Sequence, residues 1–149
     1  MKKYVLLIIV CLTHIIAQGT SNEHHWRTHF AYNSVQQIAL DDNQVYALAN
    51  GKLFSIDQTS EKITLYNNFS GFHGTDITQL IYDSIRNQLL LMYTDGKMDV
   101  WHPNQSMQYV PDLYNKQMTA SKKCNNITIA ENMAYLAMDF GILTFDLDN

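Results

Sequence analysis

His24, His25 and His29 crowd together near the start of the chain, a grouping that could offer nitrogen ligands to a metal ion. A metal site also needs rigid elements to converge its ligands and a second layer of partners to orient them. Adjacent histidines on a polar arm supply neither, so no metal is assigned. His73 and His102, in a connecting segment and after a strand, suit surface or hydrogen-bonded roles. Asp41, Asp42, Asp57, Asp83, Asp95, Asp99 and Asp146 recur at expected turns and strand ends. Aspartate caps turns by bonding nearby backbone amides. No Asp-x-Asp-x-Asp-Gly calcium loop is present, and nothing selects two of these acids for hydrolysis. Gly-x-Ser-x-Gly and phosphate-cradling glycine loops are also missing. Two cysteines occur, Cys11 and Cys124. Cys11 lies in an N-terminal apolar run, which leaves Cys124 alone, without an internal disulfide and expected as a small buried residue. Tyr66, Phe69, Phe72, Trp101 and Tyr109 could stack on a sugar or lipid headgroup, although packing between sheets is their expected role. No catalytic, cofactor or metal residue emerges, and no particular binding residue is selected.

The elements that carry these side chains are marked by three glycines. Gly51, Gly96 and Gly141 are evenly spaced, each between two apolar runs. The runs read Val45-Tyr-Ala-Leu-Ala-Asn-Gly-Lys-Leu-Phe-Ser-Ile-Asp57, Leu89-Leu-Leu-Met-Tyr-Thr-Asp-Gly-Lys-Met-Asp-Val-Trp101 and Ala134-Tyr-Leu-Ala-Met-Asp-Phe-Gly-Ile-Leu-Thr-Phe-Asp146. A strand–turn–strand unit repeating at about 40–50 residues is the mark of a propeller blade. The fold class is therefore all-β, with blades of four-stranded antiparallel sheets. A closed ring needs about four to eight such blades. The 149 residues hold about three, so an incomplete propeller, the N-terminal part of a longer chain, is expected.

The first blade is expected at 35–40, 45–49, 53–57 and 62–66, with a type I′ turn at Asn50-Gly51. The second is expected at 77–82, 89–93, 98–101 and 107–110, with Asp95-Gly96 giving another type I′ turn. Pro103 and Pro111 bound its outer strand, where proline is tolerated. Leu89 to Tyr93 is continuously apolar, which fits a strand covered on both faces. Asp112 to Asn125 reads as a long polar crossing. The third blade comprises 127–130, 133–138 and 142–146, with no fourth strand and a hairpin slipped by about one position, since Gly141 follows Phe140. Ser70-Gly71-Phe72-His73-Gly74 forms the first crossing. Trp26 to Tyr32 reads as an outermost strand that belongs to the last blade of the ring.

Met1 to Gln18 reads as an export signal. Lys2 and Lys3 form its charged start, Tyr4 to Ile16 its apolar centre, and Ala17 the small residue before cleavage. The mature domain would then span residues 19–149. The formal charge is −4, and removing Lys2 and Lys3 makes it more negative. With basic residues scattered, a nucleic-acid surface is not expected.

Trp26-Arg-Thr-His-Phe-Ala-Tyr-Asn33, Leu53-Phe-Ser-Ile-Asp57, Leu91-Met-Tyr-Thr-Asp-Gly-Lys-Met-Asp99 and Tyr135-Leu-Ala-Met-Asp-Phe-Gly-Ile-Leu-Thr-Phe-Asp-Leu147, in this order, resemble the N-terminal propeller of the PorZ family of type IX secretion in Bacteroidetes. The resemblance implies a non-enzymatic, cofactor-free, exported subunit at the outer membrane, cell surface or periplasm. Its implied partners are the sortase-like protease and outer-membrane β-barrel of the attachment complex, and anionic lipopolysaccharide to which cargo is joined. The resemblance carries over no binding residue. The alternative is the periplasmic glycan-sensing propeller of a hybrid two-component regulator. Those sensors repeat a Leu-Trp-Ile-Gly-Thr-like strand, whereas the matching strands here read Val45-Tyr-Ala-Leu-Ala and Leu89-Leu-Leu-Met-Tyr.

Overall fold

Apolar alternation broken by short polar turns gives eleven strands among the described residues of the computed structural model, which are 33–66, 70–103 and 105–148. The expected export signal, the histidine group at 24–29, the strand at 26–32 and Phe69 lie outside them. Strands β1 (Val35–Leu40), β2 (Gln44–Ala49), β3 (Lys52–Asp57) and β4 (Ile63–Leu65) form the first sheet. Strands β5 (Ile77–Asp83), β6 (Gln88–Tyr93), β7 (Met98–His102) and β8 (Ser106–Val110) form the second. A third sheet holds β9 (Cys124–Ala130), β10 (Met133–Met138) and β11 (Gly141–Asp146). Every pairing is antiparallel and joins strands adjacent in sequence. The innermost strands stand side by side, β5 contacting both β1 and β9, so the sheets fan out as three blades of a propeller that is not closed.

The second blade lies between the other two, and its strands show it. All six residues of β6 are buried, as the continuous apolar run requires. In β10 burial alternates. Ala134, Leu136 and Met138 are covered by the second blade, while Tyr135 and Ala137 face outward.

Each inner strand starts with the same irregularity. The register shifts between Val35 and Gln37, between Ile77 and Gln79, and between Cys124 and Asn126. One extra residue, Gln36, Thr78 or Asn125, is thereby left in each strand as a β-bulge, which bends and twists it locally. The Gln37 amide uses the bend to reach the next blade. Its Nε2 donates to Gln79 Oε1 and its Oε1 accepts from the Leu80 amide at 2.9 Å.

Three expectations need correction. Asn50 and Gly51 both have positive φ, 51° and 73°, as a type I′ turn demands. The Asp95-Gly96 turn does not follow suit. Its loop is the three residues Thr94-Asp95-Gly96, with Tyr93 N bonded to Lys97 O at 3.0 Å and Gly96 N to Tyr93 O at 3.1 Å. Only Gly96 is left-handed, with φ 87°, so the hairpin is a type I turn followed by a glycine bulge. The second correction concerns the crossing 112–125. It contains a short helix, α1 (Asp112–Asn115), that buries Leu113, and β9 begins at Cys124 rather than Ile127. The third concerns Asp99, which caps no turn and is described below. The slip in the third hairpin is present. Met138 pairs with Gly141 across Asp139-Phe140, whereas Ala49 pairs with Lys52 across Asn50-Gly51.

Candidate functional site: the seams between blades

The first seam, between blades one and two, is filled by aromatic rings. Trp101 on β7 meets Tyr46 at 5.7 Å, Tyr66 at 4.9 Å and Phe72 at 5.5 Å, in each case edge to face. This is the geometry that the ring quadrupoles favour. Tyr66 also meets Phe72 edge-on at 5.9 Å, and Tyr46 stacks on Tyr82. The hydroxyls have partners. Tyr46 donates to Asp41 Oδ2 at 3.2 Å, Tyr82 donates to Asn87 at 2.9 Å, and Tyr66 shares a hydrogen bond with Ser55. Burial, then the Asp41 charge, push the Tyr46 phenol well above its ordinary range. Tyr66, Phe72 and Trp101 are thus packing residues, in edge-to-face contact with one another.

Beside these rings lies a buried polar cluster. Asp99, the second residue of β7, is fully buried. Its Oδ2 accepts from Tyr93 Oη at 2.6 Å and from the His73 amide at 3.0 Å, and its Oδ1 lies 2.8 Å from His73 Nδ1. The His73 ring stacks on Tyr109 at 4.3 Å between centroids. Gly74 makes the close approach possible, because a Cβ there would lie 2.2 Å from the Tyr93 ring. Burial first, then the Asp99 hydrogen bond, push the Tyr93 phenol far up, so it stays a donor. A buried carboxylate needs such a set of donors. Here they tie the 70–76 crossing to the second blade. The sequence placed Asp99 among the turn-capping acids, where Asp41, Asp57, Asp83, Asp95 and Asp146 do belong, each accepting from a backbone amide two residues on.

The second seam has different contents. Strand register shows which positions correspond. Met92–Met98 occupies the place of Leu48–Leu53. Val110, paired with Met98, takes the place of Tyr66, whose amide bonds Leu53 O. Across the seam, Phe145 stands for Trp101, Leu143 for Asp99 and Met138 for Tyr93. The second seam therefore lacks both the large aromatic pair and the carboxylate cluster. The space is not closed. A cavity of about 450 Å³ remains, lined by Met92, Met98, Met118, Leu136, Leu143 and Phe145 among others, with Asp112, Lys116 and Thr144 as its polar lining. Its size lies within the range of about 300–1,000 Å³ usual for small-molecule sites, and its apolar walls are typical of them. No signal in the linear sequence marks it, because it arises from which residues face each other across two blades.

His102 ends β7, half-buried, and its carbonyl accepts from the Gln105 amide at 3.0 Å. Cys124 is fully buried, its thiol pushed up to about 11 by burial. Among the described residues no group of three or more His, Cys, Asp or Glu side chains could hold a metal ion. Among the same residues no helix is long and apolar enough to cross a membrane.

Comparison with known proteins gives the fold a context. Residues 45–149 match the family model of the N-terminal beta-propeller domain of PorZ of the type IX secretion system. PorZ of Porphyromonas gingivalis, described as an essential bacterial surface component of that system, superposes with a TM-score of 0.74 at 24% identity. The match covers 78% of this chain and 16% of that one. The extracellular domain of BT4673 of B. thetaiotaomicron, a putative hybrid two-component system, superposes with a TM-score of 0.64 at 16% identity, covering 78% of this chain and 16% of that one. Both likenesses describe the fold, and the chain spans about 16% of the length of these relatives. No curated protein sequence matches it. By the family match over residues 45–149, the chain belongs to the PorZ N-terminal β-propeller domain family.

Proposed function

We propose that this chain is the first part of a propeller in an exported, non-catalytic subunit of the type IX secretion attachment complex. Residues 1–18 serve as the export signal and 19–149 open the propeller. The subunit binds anionic lipopolysaccharide and supports the joining of secreted cargo to the cell surface. Its partners are the sortase-like protease and the outer-membrane β-barrel of that complex. The observation that carries this reading is the family match over residues 45–149. The surface location described for PorZ of Porphyromonas gingivalis supports export.

The test has two arms. Deleting the gene should stop cargo from reaching the surface, and the purified full-length protein should bind lipopolysaccharide from the same cells. Intact secretion after deletion, together with no detectable binding, would remove the proposal. The glycan-sensor alternative rests on a likeness of fold at 16% identity. A membrane helix and a histidine kinase in the same polypeptide would favour it.

A further inference from the structure

The cavity of the second seam has a chemical polarity that its walls and mouth share out unequally. Its lining includes three methionines, the buried Met92 and Met98 and the half-buried Met118, with leucine and phenylalanine. Methionine is unbranched and polarizable, and adapts to irregular apolar guests. Lys116 also lines the cavity. Two further lysines lie around it. Lys122 packs on Gly96, which borders the cavity, and donates to Tyr114 O at 2.7 Å. Lys97 sits 4.6 Å from the Tyr114 ring centroid and pairs with Asp95 at 2.8 Å. Asp112 is the acid that shares the lining with Lys116. Lys116 is thus the one cation of the lining, with Lys122 and the Asp95-paired Lys97 on the neighbouring segments. The same place in the first seam holds aromatic rings and a buried carboxylate instead.

We propose that this cavity binds a single-chain anionic lipid, with its acyl chain between the second and third blades and its carboxylate on the lysines at the mouth. Buried apolar walls and the exposed Lys116 match the two ends of such a molecule, and burial of the chain drives binding. The proposal stands apart from the lipopolysaccharide reading, because it requires no polysaccharide.

The experiment uses the full-length protein and dodecanoate, followed by displacement of a fluorescent fatty acid. Saturable one-to-one binding is expected. Affinity should rise on the order of tenfold for every two methylenes added, until the cavity is full. Dodecanol, without the charge, should bind several-fold more weakly. Met118→Trp, which fills the cavity from the crossing segment, should abolish binding without unfolding the protein. Lys116→Glu should weaken it about tenfold, and Lys116→Arg should preserve it. Absence of saturable dodecanoate binding overturns the proposal, including the case in which other parts of the polypeptide fill the seam. So does binding that Met118→Trp and Lys116→Glu leave unchanged. A parallel titration with intact lipopolysaccharide separates the two readings. Lipopolysaccharide binding without dodecanoate binding sinks this proposal and leaves the other standing, and dodecanoate binding without lipopolysaccharide binding does the opposite.

Discussion

Asp99 Oδ1 lies 2.8 Å from His73 Nδ1, and the two side chains differ sharply in exposure, 0% against 40%. A carboxylate sealed inside a blade is thus bonded to a ring at the surface, 26 residues earlier in the chain. The crossing between blades one and two is held through this contact.

Breaking that contact should loosen the crossing. Asp99→Leu leaves the Tyr93 hydroxyl and the His73 amide without their acceptor, at a cost of about 1–3 kcal/mol for the buried hydroxyl. Gly74→Ala should destabilise to a similar or larger degree by driving a methyl group into the Tyr93 ring. Urea unfolding of the full-length protein measures both. A loss under about 0.5 kcal/mol in Asp99→Leu would show that the crossing is held by other means.

Acid should weaken the protein through Asp83. Burial opposes its charge, but hydrogen bonds from Arg86, Gln88 and the backbone amides of Ile85 and Arg86 outweigh burial and hold the carboxyl below its usual value. A folded pKa below the unfolded value of about 3.9 stabilises fully above about pH 4 and is lost as pH falls through the folded value. Arg86 also bonds Asp148 at 2.7 Å, linking the second blade to the end of the third. Arg86→Met should lower stability at neutral pH and flatten the acid limb of the stability curve. An unchanged acid limb would assign it to other carboxylates.

Cys124 should resist alkylation. Its thiol, raised to about 11 by burial, remains protonated at pH 8, and only the thiolate is reactive. Iodoacetamide at pH 8 should label the Cys124 peptide only after denaturation, as read by mass spectrometry. Because the folded value exceeds the unfolded value of about 8.5, its stability contribution is complete below that pH and declines as pH rises toward the folded value. Rapid labelling of the native protein would contradict the burial.

The outer face of the third blade should govern solubility of residues 19–149 produced alone. Ile142 is 77% exposed and Tyr135 lies exposed one strand over. Exposed apolar strands favour edge-to-edge association. Ile142→Lys with Tyr135→Thr should raise the soluble fraction of that piece and lower the stability of the full-length protein. Light scattering and thermal unfolding read the two effects. Improvement in both would show that nothing covers this face.

Much of the architecture was legible because it is written locally. Glycine spacing, apolar alternation and the two prolines located the blades, and the unbroken run at Leu89–Tyr93 correctly announced a strand buried on both faces. Local chemistry misled where a distant partner decides. Asp99 resembles the other aspartates in its neighbourhood, and only the folded chain brings His73 to it. Asp95-Gly96 carries the composition of a two-residue turn, yet Thr94 joins the loop and changes its type. The bulges at Gln36, Thr78 and Asn125 have no residue signature, since glutamine, threonine and asparagine occupy one structural position. The seam cavity was invisible for the same reason, being a property of pairs of residues about 45 apart.

The unbroken succession of neighbour-to-neighbour strand pairs has a kinetic consequence. Each blade closes through contacts a few tens of residues apart at most, so little loop entropy is spent before pairing is rewarded. A polypeptide delivered N-terminus first can finish one sheet while the next is still arriving. The Gln37 amide that follows the first bulge, bonded to Gln79 and Leu80, then receives the second blade. Assembly in this protein can proceed vectorially, blade upon blade.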